Sequence, residues 1–240
     1  MRIGVFGRGR LGSAVAREAG TAMVWQVGRE APPDIPVDVA IEVSSGDAVA
    51  ARLEWAMARR TPLVIGSTGW ELPDLEVRVG ERIGVLAAPN FSITVALVLG
   101  LAKIVGRFAA ADERRDPYII EHHHARKKDA PSGTAKLLAA TLLEACPRKS
   151  EWVIPNAQAP VAPHQISVSP VRAGVTYSSH VVGIDAPGEV LEIHHASRDA
   201  SPYARGAITA AHWIIGKKGV FTMQDVARAE LAPLFSGVIS

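Results

Sequence analysis

The sequence predicts an α/β protein with two domains. In the first ninety residues, short apolar runs alternate with helical stretches, an order typical of a parallel sheet with helices on both faces. Between residues 165 and 195, several β-like runs are separated by turn residues, which favours an antiparallel or mixed sheet with one open face. We therefore expect one domain from residues 1–91 and 203–240, and a second, inserted domain from residues 92–202.

The first domain has five apolar runs that predict strands. They lie at residues 2–6, 22–27, 37–43, 62–65 and 82–87. Helical stretches at residues 13–19 and 47–60 fall between them, and a further helix at about 203–215 returns the chain to this domain. Buried strands of a parallel sheet are short and apolar, as these runs are.

The second domain begins with a long apolar helix, at about residues 92–108, followed by a strand at 117–122. A second helix is expected from 132 to 145, because Ser132 can cap it and leucines recur along one of its faces. The later β runs, at residues 166–168, 174–182 and 190–194, would complete an α+β domain.

Composition and charge indicate the general class of protein. Hydrophobic residues make up 48% and charged residues 21% of the 240 residues, which is typical of globular proteins. The net charge of +2 gives no reason to expect nucleic acid or a membrane surface as a partner, and the apolar run 93–105 is too short to span a bilayer. A single cysteine, Cys146, and a strand in place of a signal peptide favour a cytoplasmic protein.

A glycine motif follows the first strand. Gly7, Gly9 and Gly12 form GxGxxG between that strand and a helix. Such glycines permit a tight turn and a close approach of the backbone to a pyrophosphate, which the helix N-terminus then attracts. The motif predicts a Rossmann-like dinucleotide site, and the alternative is a structural turn that binds no nucleotide.

The choice between NADPH and NADH depends on the residues after the second strand. Gly28 stands where an acid would bind the ribose hydroxyls, and Arg29 follows it, which favours NADPH. Glu30 could turn inward instead, and Arg29 could be a solvated loop residue. Two further loops, 66–69 and 88–91, follow the fourth and fifth strands, at the edge where such sheets bind ligands.

The predicted reaction site lies at residues 121–135. His122, His123 and His124 are followed by Lys127 and by the turn Pro-Ser-Gly-Thr at 131–134, which begins a helix. Histidine is the commonest general acid, lysine supplies a positive charge, and a helix N-terminus binds anions. Strand alternation would put His122 and His124 on one face and His123 on the other. This pattern suits a small anionic substrate that is protonated as it reacts.

A metal site is the alternative interpretation of three histidines. Adjacent histidines rarely chelate one ion together, and neither a cysteine cluster nor HExxH spacing supports it. We therefore expect no metal.

At residues 121–135 the chain resembles the dihydrodipicolinate reductase family, also called 4-hydroxy-tetrahydrodipicolinate reductase. The family signature is Glu, any residue, His, three residues, Lys, any residue, Asp, any residue, Pro-Ser-Gly-Thr-Ala. It is matched by Glu121, His123, Lys127, Asp129 and residues 131–135. Other parts that resemble the family are 9–12, 64–69, 89–92, 172–174, His180, 206–207 and 219–226, so the resemblance covers essentially the whole chain.

This resemblance implies reduction of 4-hydroxy-tetrahydrodipicolinate to tetrahydrodipicolinate by hydride from NADPH or NADH, in lysine and diaminopimelate biosynthesis. His123 and Lys127 would be the acid–base pair. The substrate, a small dicarboxylate, would contact His124, Gly133 and Thr134. The cofactor would contact Gly7, Arg8, Gly9, Arg10, Leu11, Gly28, Arg29, Gly66, Ser67, Thr68, Ala88, Pro89, Asn90 and Phe91. Family members are usually homotetramers joined through the sheets of the second domain.

Three other functions fit parts of the sequence. A nicotinamide-dependent reductase of another acidic substrate would share the fold, but the signature at 121–135 argues against it. A dinucleotide-binding protein without turnover would have little need of both His123 and Lys127. A metal-dependent hydrolase that used the histidines would retain metal on purification.

Overall fold

The computed structural model describes residues 1–235 and has eleven strands and seven α-helices in that part of the chain. The strands are β1 Ile3–Phe6, β2 Met23–Val27, β3 Val39–Glu42, β4 Leu63–Ile65, β5 Gly84–Ala87, β6 Asp116–His123, β7 Glu151–Val153, β8 Gln165–Arg172, β9 Ser178–Ala186, β10 Glu189–Ser197 and β11 Gly219–Thr222. The helices are α1 Arg10–Ala19, α2 Val49–Arg59, α3 Leu75–Val79, α4 Ile93–Ala110, α5 Gly133–Ala145, α6 Ser201–Ile214 and α7 Met223–Phe235.

The chain divides into two compact units. The first consists of Met1–Ile93 and Ala200–Ser240, and the second of Thr94–Asp199. The boundaries expected from sequence, at 91 and 203, lie within three residues of these limits. Residues 236–240 of the expected range 203–240 lie outside the described residues.

The first unit contains a six-stranded sheet in the order β11-β5-β4-β3-β1-β2, and every pair of neighbours is parallel. Apolar side chains alternate along each strand, so both faces are covered. Ile3 and Val5 pack on one face with α1 and α6, whereas Phe6 packs on the other with α2. The doubly wound parallel sheet that the sequence predicts is confirmed.

The second unit contains a mixed five-stranded sheet in the order β10-β9-β6-β8-β7. Strand β6 pairs parallel with β8 and antiparallel with β9, and β9 pairs antiparallel with β10. Helices α4 and α5 share a core with one face of this sheet. The other face presents Ile120, Val171 and Val190, all more than a third exposed. The predicted open mixed sheet is thus confirmed.

Helix α4 is longer than the apolar run noted in the sequence. Its 18 residues have a mean hydropathy of 1.8, so by length and composition alone it could cross a membrane. A core helix passes the same test, and Val98, Ala102, Val105 and Ala109 of this helix lie in the core of the second unit. Core packing therefore accounts for the buried third of the helix, while Ile104 and Phe108 remain exposed.

Candidate active site

The loop between β1 and α1 has the backbone geometry that its glycines allow. Gly7 has a φ of 122°, a region that side chains other than glycine's rarely adopt. A Cβ atom on Gly12 would lie 2.2 Å from the carbonyl oxygen of Gly7, so the start of α1 approaches the loop too closely for any side chain. At Gly9, by contrast, a Cβ atom would meet nothing within 4 Å, which leaves open space in front of the helix.

A cavity of about 630 Å³ lies at this loop, where the first strands of the sheet end. It is lined by five predicted cofactor residues, Gly7, Arg8, Gly9, Gly28 and Arg29. The remaining lining comes from residues after β3 that the sequence did not single out: Ser44, Ser45, Asp47, Ala48, Ala51 and Arg52. Because β1 lies between β2 and β3, the cavity occupies the position where doubly wound sheets bind nucleotides. Glycines, backbone N–H groups and arginines are suitable partners for a dinucleotide.

The other predicted cofactor residues lie in the same unit but do not line this cavity. Arg10 is the exposed first residue of α1, and Leu11 packs against the core. The loop Gly66, Ser67, Thr68 follows β4, and the loop Ala88, Pro89, Asn90, Phe91 follows β5. These two loops touch each other, since a Cβ atom on Gly66 would meet the ring of Phe91 at 2.3 Å.

Glu42 connects the loop after β3, which lines this cavity, to the loop after β4. This carboxylate is fully buried at the end of β3. Its Oε1 accepts hydrogen bonds from the N–H and hydroxyl of Ser44, both at 2.6 Å, and from the hydroxyl of Ser67 at 3.0 Å. The loop after β3 is thereby joined to the loop after β4.

Glu30 turns towards Gly28. Hydrogen bonds from the backbone N–H groups of Gly28 and Glu30 hold the pKa of Glu30 below its ordinary value, and Arg8 adds to the effect. The Arg8 guanidinium lies 2.8 Å from the carboxylate. Arg52 donates to the carbonyl of Gly28, whereas Arg29 is exposed. Both signs of charge therefore occur around Gly28, one of the residues that line the cavity.

The second unit places the histidines at the end of β6. His122 is half-buried and His123 is buried, so the two alternate across the sheet as the sequence predicts. His124 follows the last residue of the strand, so the alternation does not extend to it. Lys127 is half-buried in the next loop, and its Nζ lies 2.7 Å from a carboxylate oxygen of Asp129.

Helix α5 starts at the turn that the sequence predicts. Ser132 caps it, with its hydroxyl accepting from the N–H of Ala135 at 3.2 Å. Gly133 and Thr134 form the first turn, where backbone N–H groups point away from the helix. Gly133 is exposed, and a Cβ atom there would meet nothing within 4 Å. The turn can therefore receive an anion, such as a carboxylate.

Three groups that the sequence reasoning left out of the site surround His123. Glu121 is fully buried, and its Oε2 lies 3.1 Å from Nδ1 of His123. Arg172, from β8, lies 2.6 Å from Oε1 of the same carboxylate. His180, from β9, lies with its Nε2 3.2 Å from the Ser132 hydroxyl, and its ring meets that of His123 edge to face at 5.4 Å.

The charge states of two of these groups follow from their surroundings. Burial raises the pKa of Glu121, but hydrogen bonds from His123, Ser132 and Arg172 outweigh it and hold that pKa well below the ordinary range. Burial, with the nearby charges of His123 and Lys127, lowers the pKa of His180 to about 4. Near neutral pH, Glu121 is therefore ionised and His180 is neutral.

Donor atoms of Glu121, His123 and His180 lie within 4.8 Å of one another, a spacing that metal sites also show. The guanidinium of Arg172 already binds the carboxylate of this group. The positive charge of this guanidinium, 2.6 Å from the carboxylate, opposes the binding of a metal ion to the same group.

The matches of this chain with known proteins define an NAD(P)H-dependent oxidoreductase. Models of the dihydrodipicolinate reductase N-terminus and C-terminus match residues 22–91 and 94–227. The chain therefore belongs to the dihydrodipicolinate reductase family. Reduction of 4-hydroxy-tetrahydrodipicolinate with NAD(P)H, in lysine biosynthesis, is the function that this membership assigns to it.

Individual relatives agree with this assignment. The chain is 34% identical over 227 residues to a 4-hydroxy-tetrahydrodipicolinate reductase of Magnetococcus marinus, covering 92% of this chain and 80% of that one. It is 36% identical over 193 residues to the enzyme of the same name from Aquifex aeolicus, covering 79% and 72%. The dipicolinate-bound dihydrodipicolinate reductase from Paenisporosarcina sp. TG-14 shares the fold, with a TM-score of 0.70 at 21% identity, covering 92% of this chain and 97% of that one.

Proposed function

We propose that His123 and Lys127 carry out the proton transfer of this reduction, and that His124, Gly133 and Thr134 bind the carboxylates of the substrate. The observation that carries the proposal is the placement of His123. It is a buried histidine at the end of β6, in contact with an ionised carboxylate, in the same unit as an exposed, capped helix start. A dicarboxylate that gains a proton needs these two features, an anion-binding turn and a proton donor.

The chain's own residues have separate tasks in the proposed reaction. When bound, the nicotinamide cofactor supplies the hydride. Backbone N–H groups at 133 and 134 hold a substrate carboxylate, and the charge of Lys127 adds to that attraction. Once the 4-hydroxyl group of the ring has left as water, His123 gives a proton to the ring atom next to the one that receives the hydride, so that hydride and proton together reduce one ring double bond.

We also propose that the cavity at Gly7, Arg8, Gly9, Gly28 and Arg29 binds either NADPH or NADH. Arg8, Arg29 and Arg52 would attract the 2′-phosphate of NADPH. The carboxylate of Glu30 would bind the ribose hydroxyls of NADH and repel that phosphate. The remaining predicted residues, from Arg10 and Leu11 to the loops after β4 and β5, would contact the rest of the cofactor.

A homotetramer is proposed as the assembly, joined through the second sheet. The uncovered face of that sheet carries Ile120, Val171 and Val190, whose exposed apolar side chains would gain from burial against another subunit. Light scattering coupled to gel filtration would give the number of subunits. We further infer a cytoplasmic location, which the small dicarboxylate substrate and the lone, buried Cys146 support.

The test of the proton-transfer roles is a steady-state assay of NADPH and NADH oxidation, with substrate generated in place by dihydrodipicolinate synthase. His123→Ala and Lys127→Ala should each lower kcat by about 10²- to 10⁴-fold. Cofactor affinity, measured by fluorescence titration, should stay within about twofold, because these residues lie outside the nucleotide unit.

His164→Ala and Lys103→Ala are the matched controls. They remove an exposed histidine and an exposed lysine of the same unit, whose partners are Glu151 and Glu144. Both should keep normal turnover. Full turnover in His123→Ala or Lys127→Ala would refute the assigned roles. Cofactor binding without turnover in the unmodified protein would favour another acidic substrate or a purely binding function.

A further inference from the structure

Glu121 is a charged side chain without exposed surface, and the proposed proton transfer gives it no task. It lies two residues before His123 on β6, so both side chains project from the same face of the sheet. Its exposure is 0%, and that of His123 is 7%. An ionised carboxylate in such a place is costly unless its partners compensate for the lost water.

One oxygen of Glu121 holds the start of helix α5. Oε1 accepts a hydrogen bond from the backbone N–H of Ser132 at 2.9 Å. It also accepts one from the Arg172 guanidinium at 2.6 Å. Arg172 donates in addition to the carbonyl of Asp129, at 2.6 Å. The carboxylate and the guanidinium together fix the chain just before the Pro-Ser-Gly-Thr turn and within it.

The other oxygen faces His123. Oε2 lies 3.1 Å from Nδ1 of His123 and 3.8 Å from Nε2 of His180. Within residues 1–235, neither Oε2 of Glu121 nor Nδ1 of His123 makes a hydrogen bond of good geometry, and their 3.1 Å approach is an ion-pair contact. A proton on Nδ1 would therefore be held by Glu121, and Nε2 would be the ring nitrogen left for the substrate.

We infer that Glu121 is a positioning residue, which sets the tautomer and orientation of His123 with one oxygen and the start of the anion-binding turn with the other. The inference depends on the proposed role of His123 as proton donor. One carboxylate then fixes the distance between the group that gives the proton and the turn that holds the substrate. It also stabilises the imidazolium from which the proton is given.

The surrounding charges favour this role over metal binding. Arg172 binds Oε1 directly, and the positive charge of Lys127 acts on the neighbouring His180. A divalent cation at Oε2 would be repelled by both groups. The imidazolium of His123 carries one positive charge instead of two, and this charge lies next to the Glu121 carboxylate.

Glu121→Gln is the sharpest test, because it keeps the shape of the side chain and removes its charge. The amide oxygen can still accept from Ser132 and Arg172, so the amide NH₂ must face Nδ1 of His123 and donate to it. The proton of neutral His123 then moves to Nε2, and the imidazolium is disfavoured.

We expect kcat of Glu121→Gln to fall by about 10²-fold, with KM within about threefold of the unmodified value. The basic limb of the pH profile of kcat/KM should move about one unit lower, since a carboxylate that stabilised the charged ring is lost. In ¹⁵N NMR spectra, neutral His123 should carry its proton on Nδ1 in the unmodified protein and on Nε2 in the variant.

Glu144→Gln is the matched control. It removes an exposed carboxylate, paired with Lys103, near the far end of α5, and should leave kcat and the pH profile unchanged. A Glu121→Gln variant with normal kcat and an unmoved profile, in an enzyme that His123→Ala inactivates, would overturn the positioning role alone. If His123→Ala retained turnover, the proton-transfer assignment would fail first.

Two further measurements do not depend on the folding of the variant. A proton on Nε2 of neutral His123 in the unmodified protein would contradict the inference. So would stoichiometric zinc in the purified unmodified protein that is ligated by Nδ1 of His123, because that nitrogen would then be a metal ligand and could not hold a proton.

Discussion

Each of the two units contains a fully buried glutamate at the carboxyl end of a strand, Glu42 on β3 and Glu121 on β6. Both accept hydrogen bonds from the loops next to the candidate sites, and both join segments that are distant in sequence. In both units, therefore, a buried carboxylate holds loops in place through hydrogen bonds.

The partners of the two carboxylates differ in charge. Glu42 is held at 2.6–3.0 Å by the N–H and hydroxyl of Ser44 and the hydroxyl of Ser67, all neutral, and the Arg52 guanidinium stays 3.9 Å away. Glu121 has Arg172 at 2.6 Å and His123 at 3.1 Å. The contacts of Glu42 need only an oxygen acceptor, because its hydrogen-bond donors are neutral. The contacts of Glu121 depend on its negative charge, because its partners include a guanidinium and a histidine.

The two sets of partners show what each unit requires of its carboxylate. A nucleotide loop must have the right shape, and neutral donors suffice for that. A proton-transfer site must also stabilise the charged form of a histidine, and a neighbouring carboxylate does so directly. Substitutions that keep shape but remove charge should therefore separate the two glutamates.

Loss of Glu121 should have the largest effect on stability. Glu121→Ala leaves the Arg172 guanidinium without its carboxylate partner in a largely buried position, which typically costs about 3–5 kcal/mol of unfolding free energy. Denaturant unfolding, followed by circular dichroism, would measure it. The double variant Glu121→Leu/Arg172→Met should recover part of the loss, since no charge is left unpaired. A loss below about 1 kcal/mol would show that water replaces the pair.

The second largest effect should appear as a pH dependence of stability. His180 has a pKa of about 4 in the folded protein, below the ordinary 6.5. Between these two pKa values, His180 binds a proton in the unfolded chain but not in the folded chain. The contribution of neutral His180 to the free energy of unfolding is therefore fully present above pH 6.5 and declines as the pH falls. The 1.5 units between pH 6.5 and 5 correspond to about 2 kcal/mol.

His180→Gln should flatten this decline, whereas His164→Gln, at an exposed site, should not. His195 adds to the decline in the same direction, because burial and the charge of His194 lower its pKa. Some pH dependence will therefore remain in His180→Gln. Denaturant unfolding midpoints at pH 7 and pH 5 would measure the decline in each variant. If stability fell as much in His180→Gln as in the unmodified protein, His180 would not be buried in its neutral form.

The fold could be predicted from sequence because its signals are local. Apolar runs of strand length, the glycines at 7, 9 and 12, and the Ser132 cap each depend on a few adjacent residues. The short helix α3 and the strand β7, of five and three residues, carry too little periodic pattern to be predicted, and the sequence analysis missed them.

The site could be predicted only in part. His123, Lys127 and the turn at 131–134 are contiguous in sequence, and Glu121 could have been added from strand alternation, since it shares a face with His123. Arg172 and His180 could not be placed in this way. They reach Glu121 and His123 through the register of β6 with β8 and β9, which pairs residues 49 positions apart for β8 and 57 to 69 positions apart for β9.

A smaller effect is expected at Glu42, and it tests the comparison directly. Glu42→Ala removes the acceptor of three hydrogen bonds and should cost about 1–2 kcal/mol and weaken cofactor binding about tenfold. Glu42→Gln keeps an oxygen for these donors and should retain most of the affinity. Calorimetric titration with NADPH and NADH would measure both. If Glu42→Gln were as damaging as Glu42→Ala, charge would matter at Glu42 as well, and the contrast with Glu121 would fail.

The smallest effect concerns the choice of cofactor, where an exposed carboxylate acts in water. Glu30→Gln removes a negative charge that pairs with Arg8, 2.8 Å away, and frees that guanidinium for a 2′-phosphate. The affinity for NADPH should rise roughly threefold while that for NADH changes less, because exposed charges interact weakly. Arg29→Gln should change the ratio in the opposite direction. Both ratios should converge at high salt, where the charges are screened. An unchanged ratio in both variants would mean that the shape of the cavity, and not these charges, sets the preference.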